Sequence, residues 1–348
     1  MAAPGPSVYQ APAPDPPGET SCAWFGDVHD GVLYFGVSAF WSALRASGGD
    51  PVADLAAPGP RWIGRFDLAS ESFLPPLALG DGVAPSGVWD VLAHPNGRIY
   101  FSTYFDVAGS VDARTGALAE FAGAGLGLNE LALGPDGTVL ATRYGYGDWR
   151  DGSVVVLAED GEILAEHPLE NPPGRRTAAK SVGFDPLSRE IWVNTDLLPA
   201  AGAGVPLHDA RVLAADGTEK VATRDPELQF FTFAADGTGF LAETADGRLR
   251  LRVRRPASAS PRERFVPLDD AFDAAHDFVQ EVRAEPDGRV VVTRWSGRIH
   301  VVTPDGRVED LDLPRTQAGE LYYTGTLVGS RVCATRCGKV EVVCQDLP

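Results

Sequence analysis

Nothing in the 348-residue sequence approaches the roughly eighteen uninterrupted apolar residues that a membrane-crossing helix needs. The N-terminus, MAAPGPSVYQAPAPDPPGETS, has neither the basic start nor the apolar stretch of a secretory leader, so a cytoplasmic location is expected. Bases are also in short supply: 30 Lys and Arg face 48 Asp and Glu, for a formal charge of −18. A phosphate backbone is bound by clustered cations, and the one candidate patch is LRLRVRRPASASPRER at residues 249–264. Its alternation reads as outward arginines on a solvated strand. Neither nucleic acid nor a membrane is an expected partner of this acidic chain. Amphipathic helical periodicity is missing too, which excludes an alternating β/α barrel. Neither a G-x-S-x-G elbow nor a phosphate-binding P-loop occurs, so those nucleophile and nucleotide schemes have no sequence support.

What the sequence does contain is one recurring phrase: a Pro-Asp/Asn-Gly turn, three or four apolar residues, then a polar pair. It reads HPNGRIYFST at 94–103, GPDGTVLATR at 134–143 and EPDGRVVVTR at 285–294. Looser copies begin at His29, Asp185, Ala234 and Val328. Each copy reads as a β-hairpin, with an apolar run entering the turn and a β-rich strand returning from it. A third strand usually follows, as in SVVVLAEDGEIL at 153–164 and GRIHVVTPDGRVEDL at 297–311. Repetition at this period, with short strands and Gly turns throughout, predicts propeller blades. The expected fold is therefore all-β: a seven-bladed β-propeller, with six blades as the alternative, occupying residues 1–348 as one domain. Residues 1–20 include a Pro-rich arm, and PSVYQAP within it could supply the outer strand of the last blade and close the ring.

The phrase resembles the repeat of the virginiamycin B lyase-like, SMP-30/gluconolactonase-like and NHL-like propeller families. That resemblance covers nearly the whole chain and is specific for fold rather than activity. It implies a small-molecule enzyme acting on a lactone, ester or related metabolite at the channel mouth. The alternative is a non-catalytic propeller that binds a ligand or protein partner through the same face.

Two registers mark that face. Six residues before the turn proline, or its equivalent, stand Trp89, Asn129, Lys180, Gln229 and Gln280, at the starts of inner strands. At the end of the second strand stand Arg143, Arg294 and Arg336, with Val37, Thr103, Thr195 and Glu243 in the other copies. The three arginines could orient an anionic substrate or equally neutralise nearby acids. Long connections after the second strand add Trp41, Tyr144 and Trp149, which would give a pocket apolar walls. Substrate contact is thus expected from Arg143, Arg294, Arg336, Lys180, Gln229, Gln280, Trp41, Tyr144 and Trp149.

For chemistry, the resemblance implies one divalent cation, calcium or magnesium, held by oxygen ligands at inner-strand starts. Asn129 matches such a position, and Asp90, Glu130 and Glu281 lie one residue away. Lys180 stands where another amide would be expected, and a cation there opposes metal binding. The lyase-like relatives place a general-base histidine at an inner-strand start, but no histidine holds that register here. His276, with Asp277 beside it, is the acid/base candidate. Four cysteines, Cys22, Cys333, Cys337 and Cys344, fit neither a zinc site nor a dense disulfide framework. Ring closure would bring them into one neighbourhood; buried free thiols are expected there, with a disulfide as the other outcome.

Overall fold

The computed structural model describes residues 5–11, 22–38, 62–79, 87–103, 107–124, 127–144, 152–199, 207–220, 228–255, 262–273, 277–315, 320–337 and 340–348. Regular structure there is β-strand, apart from two single 3-10 turns at Ala122–Ala124 and Pro135–Gly137. The strands run β1 (Ser7–Gln10), β2 (Cys22–His29), β3 (Val32–Ser38), β4 (Trp62–Asp67), β5 (Ser72–Phe73) and β6 (Leu77–Ala78). Next come β7 (Asp90–Ala93), β8 (Arg98–Ser102), β9 (Gly109–Asp112) and β10 (Leu118–Glu120), which form one four-stranded sheet. A second is made by β11 (Leu128–Leu133), β12 (Val139–Arg143), β13 (Ser153–Leu157) and β14 (Ile163–Pro168). Three longer strands, β15 (Arg175–Asp185), β16 (Glu190–Pro199) and β17 (Leu207–Leu213), form the third sheet. The fourth contains β18 (Leu228–Phe233), β19 (Gly239–Ala245), β20 (Arg248–Arg255) and β21 (Arg262–Asp269). The fifth contains β22 (Val279–Ala284), β23 (Val290–Arg294), β24 (Arg298–Val302) and β25 (Val308–Asp312). The chain ends with β26 (Leu321–Val328), β27 (Arg331–Cys337) and β28 (Glu341–Asp346).

Five small sheets therefore stand apart as blades, in place of the seven or six expected. The remaining strands merge into one nine-stranded sheet, because Cys22 at the start of β2 pairs with Cys337 at the end of β27. The N-terminal segment does supply an outer strand to the last hairpin: Ser7–Gln10 pairs antiparallel with β28, Ser7 opposite Cys344 and Gln10 opposite Glu341. Arg331 ties this strand down from the side, donating to Ser7 Oγ at 2.8 Å and meeting Glu71 at 3.0 Å.

The turn phrase has a local cause. In Asn96, Asp236 and Asp287 a side-chain oxygen accepts the backbone N–H two residues on, at 2.9–3.0 Å. The intervening glycine takes the left-handed region, as at Gly97 with φ 83° and Gly288 with φ 82°. Each turn then returns an apolar strand antiparallel to the inner one, as β7 pairs with β8 from Asp90↔Ser102 to Ala93↔Ile99.

Packing lies between the faces of successive sheets. Tyr34 and Ile63 of the nine-stranded sheet meet Val91, Ile99, Phe101 and Val111 of the next. Leu140 and Val154 meet Val182, Ile191 and Val193 in the same way, and Leu251 and Val266 meet Val282, Val290 and Val302. Each such buried aliphatic side chain contributes about 1.5–3 kcal/mol relative to exposure. The chain resolves into two compact units. One comprises Met1–Leu128, Thr293–Ile299 and Glu309–Pro348; the other comprises Asn129–Val292 and His300–Val308.

The cysteines are not free thiols, contrary to expectation. Cys22 is joined to Cys337 and Cys333 to Cys344. In each case the partners are directly opposite on antiparallel strands, with Cα atoms 4.0 and 4.1 Å apart. Tertiary pairing, invisible in the spacing of the cysteines, sets up both bonds.

Candidate functional site

Inner strands do not simply continue into their turns; several bulge near their starts. On β2, Trp24 and Phe25 lie between the pairs Ala23↔Val37 and Gly26↔Phe35, opposite Gly36 alone. On β26, Tyr323 and Thr324 lie opposite Thr335 alone. On β15, Lys180 and Ser181 lie opposite Asn194, and on β18 Gln229 is inserted between Leu228 and Phe230. A bulge bends its strand and re-aims the extra side chain. The register that the sequence marks as polar is thus a register of bulges, and its chemistry differs between the two units.

In the unit that contains both chain ends, the register is aromatic. Trp24 lies 4.4 Å from Trp89 and 4.7 Å edge-on from Tyr323, ring centroid to centroid. Phe25 lies 5.2 Å edge-on from Tyr323, and Trp295 Nε1 donates to the Tyr323 hydroxyl at 3.4 Å. Trp24 is fully buried and anchored by Nε1 donating to Ser38 Oγ at 2.6 Å, whereas Trp89 and Trp295 are only half-buried. The Cys22–Cys337 bond packs into the same cluster. Gly36 is required here: a Cβ at that position would come within 2.7 Å of the Trp89 carbonyl oxygen. Of this cluster, sequence reasoning found Trp89 alone. Its other members lie in WF of the first inner strand and YY of the last, where the copies lack a turn proline to count from, and in the tryptophan one position beyond the Arg294 register.

In the other unit the register is polar: two expected residues, Tyr144 and Lys180, meet at Asp196, and a third, Asn129, is bonded to the backbone of Lys180. The Tyr144 hydroxyl donates to Asp196 Oδ2 at 3.1 Å, Lys180 Nζ lies 3.9 Å from Oδ1, and Asn129 Nδ2 donates to the Lys180 carbonyl at 3.1 Å. Lys180 keeps over a third of its side chain exposed. Asn194 Nδ2 donates to the Gln229 carbonyl. Gln229 and Gln280 are half-buried.

The arginines have internal partners. Arg143 is buried, its Nε 3.1 Å from Glu166 Oε1, which also accepts from Ser153 at 2.8 Å. Arg336 is buried against Glu341, with Nε to Oε2 at 2.9 Å, and donates to the Pro314 carbonyl at 2.9 Å. Burial works against this cation, but the bonds from Glu341 and Tyr322 outweigh it and hold its pKa above the ordinary arginine value. Glu243, at the same register, shows the pair with its signs exchanged: Arg250 and Arg252 meet it at 2.6 and 3.0 Å. Arg294 is buried at this register too. Three second-strand ends, at Arg143, Glu243 and Arg336, therefore carry ion pairs within their own sheets, Arg143 reaching past β13 to β14. That accounts for Arg143 and Arg336 without a ligand.

Three of the expected metal ligands have a side-chain partner in the chain, Asn129 through its amide nitrogen rather than its oxygen. Asp90 Oδ1 accepts the Val91 N–H at 2.8 Å, Glu281 is paired with Arg283 at 2.8 Å, and Asn129 is bonded as above. Glu130 is half-buried, and its backbone N–H is bonded to Thr142 Oγ1 at 3.1 Å. Among the described residues no group of three or more His, Cys, Asp or Glu side chains is disposed to hold a metal ion. Asp277 is placed by its N–H donating to the Asp273 carbonyl at 3.0 Å. His276, Trp41 and Trp149 lie outside the described residues.

No protein-family model and no curated protein matches this sequence. Among solved structures the chain is similar to a catalytically inactive histidine-to-alanine variant of virginiamycin B lyase from Staphylococcus aureus, crystallised with quinupristin. The TM-score is 0.59 at 12% identity, covering 99% of this chain and 100% of that one. A likeness at that identity speaks to fold alone, and the fold it shows is the β-propeller that the recurring hairpins predict.

Proposed function

We propose that this chain is a small-molecule-binding propeller whose ligand brings a flat apolar portion against the aromatic cluster. The observation that carries the reading is the gathering of Trp24, Phe25, Trp89 and Tyr323 at inner-strand starts, with the rings of Trp89 and Trp295 half-buried. Aromatic faces held by their neighbours lose little conformational entropy on binding, and a stacked pair adds about 0.5–1.5 kcal/mol beyond area burial. Ligand sites are commonly apolar walls with a few orienting polar groups. Titration of tryptophan fluorescence with planar aromatic lactones tests the reading. Saturable quenching that Trp89→Ala weakens about tenfold supports it, since losing a buried aromatic partner is commonly worth a kcal/mol or more. Quenching that Trp89→Ala leaves unchanged overturns it.

A catalytic reading is favoured by the likeness to a lyase whose histidine-to-alanine variant is inactive. Here His276 would act as the acid or base, with Asp277 beside it. Incubation with quinupristin, followed by mass spectrometry, checks this reading directly. Ring opening by the natural chain but not by His276→Ala supports it; no turnover by either overturns it for that substrate.

A further inference from the structure

A cavity of about 370 Å³ opens at the opposite end of the strands from these registers, in the unit formed by Asn129–Val292 and His300–Val308. It is bounded by the turns after β18, β22 and β24 and by the end of β20. Its apolar lining is Phe240, Val253, Val290 and Val302, and the last three are almost fully buried within the core between the fourth and fifth sheets. Two guanidinium groups complete it, Arg255 and Arg264, together with the carboxylates of Asp236 and Glu285.

The four charges cancel in number but are not equally engaged. Asp236 accepts the Thr238 N–H at 2.9 Å. Arg264 is fixed by two backbone carbonyls, Nη1 to Asp305 at 2.9 Å and Nη2 to Pro304 at 3.4 Å, so part of its donor fork stays available in a set position. Glu285 has its own side-chain or backbone engagements, including the Arg289 carbonyl at 2.8 Å from its N–H. Arg255, in contrast, makes no side-chain hydrogen bond or ion pair with another described residue, and it is exposed at the rim.

We propose that this cavity is a second binding site, for a small monocarboxylate with an apolar ring or short chain. The apolar part would cover Phe240 and the small exposed edges of the valines. The carboxylate would meet Arg255, with the pre-set donors of Arg264 as its second contact, the geometry in which guanidinium recognises planar anions. This site is independent of the aromatic cluster, so either proposal can fail alone.

The test uses the full chain, with benzoate and its neutral isostere benzamide as probes, followed by ligand-observed NMR titration. Benzoate is expected to bind saturably and benzamide more weakly. Arg255→Gln should weaken benzoate roughly fivefold, as loss of one exposed charge-assisted contact, and leave benzamide nearly unchanged. Ala284→Trp, which would fill the cavity from its lining, should abolish binding of both. Trp89→Ala should change neither. The proposal is overturned if benzoate does not saturate, if its affinity survives Arg255→Gln and Ala284→Trp, or if Trp89→Ala removes it.

Discussion

The hydroxyl of Thr142 donates to the carbonyl of Lys180 on the neighbouring sheet, 2.7 Å away, and accepts the N–H of Glu130 on its own inner strand. Thr335 repeats the arrangement: it donates to the Trp24 carbonyl at 2.9 Å and accepts the Thr324 N–H at 3.0 Å. Asn194 reaches the Gln229 carbonyl from the same register, and at Gly36 the absence of a side chain lets the Trp89 carbonyl approach directly. The register residue of each of these inner strands is thus received, by its backbone, at one position of the preceding second strand. In two copies that position is the Thr of the Thr-Arg ending.

Thr142→Val and Thr335→Val should each destabilise the fold by about 1–3 kcal/mol, because each leaves a buried carbonyl and a buried N–H short of a partner. Urea unfolding checks this, and the serine variants, which restore the oxygen, should recover most of the loss. A serine variant as unstable as the valine one would assign the effect to packing.

Both disulfides should protect the fold, unequally. Cys22–Cys337 spans a sequence separation of 315 residues and Cys333–Cys344 one of 11. Chain entropy then gives the first about 6 kcal/mol and the second about 3 kcal/mol. Thiol titration of the denatured, unreduced protein should find no free thiol. Cys22→Ser with Cys337→Ser should lower the melting temperature more than the Cys333/Cys344 double variant does.

Removing one partner of the buried Arg336–Glu341 pair should be costly. Arg336→Ala leaves Glu341 buried beside Glu320, and about 3–5 kcal/mol of destabilisation is expected. Glu341→Gln added to Arg336→Ala should restore part of this by removing the stranded charge. Thermal melts of the two variants decide the point.

Tyr322 links stability to alkaline pH. Burial, above all, pushes its phenol up to about 12, while the nearby Arg336 works in the opposite direction. A tyrosine ionises near 10 in the unfolded chain, so the unfolded state loses its proton first. The contribution to stability is complete below about pH 10 and is lost as pH rises towards 12, by up to about 2–3 kcal/mol. Chemical denaturation across that window should show the fall, and Tyr322→Phe should flatten it.

The hairpins, their turns and the edge strand from PSVYQAP were legible in the sequence, because Asx-Gly turns and alternating β-branched runs act locally. Asn129 and Lys180 stand at one register in the sequence, and the structure brings them within hydrogen-bond reach, since a repeat carries its register with it. Pairing with acids was one of the two readings the sequence offered for Arg143 and Arg336, but which acids was not legible. Their carboxylate partners sit elsewhere in their own sheets, Glu341 directly opposite Arg336 on the next strand and Glu166 two strands from Arg143, and only the sheet order reveals which side chains meet. The aromatic cluster was missed for the same reason: Trp24 and Tyr323 are 299 positions apart by their numbers, yet their rings touch.

By itself the sequence determined the repeating unit: turn, apolar strand and polar end follow from φ restrictions, side-chain alternation and local hydrogen bonds. Tertiary structure decided what each unit is joined to. It merged the first and last hairpins through a cysteine pair, turned the arginine register inward onto buried acids, and gathered distant tryptophans at one group of bulges. Those outcomes depend on which strands lie side by side, and that is settled by burial between sheets rather than by any residue's immediate neighbours.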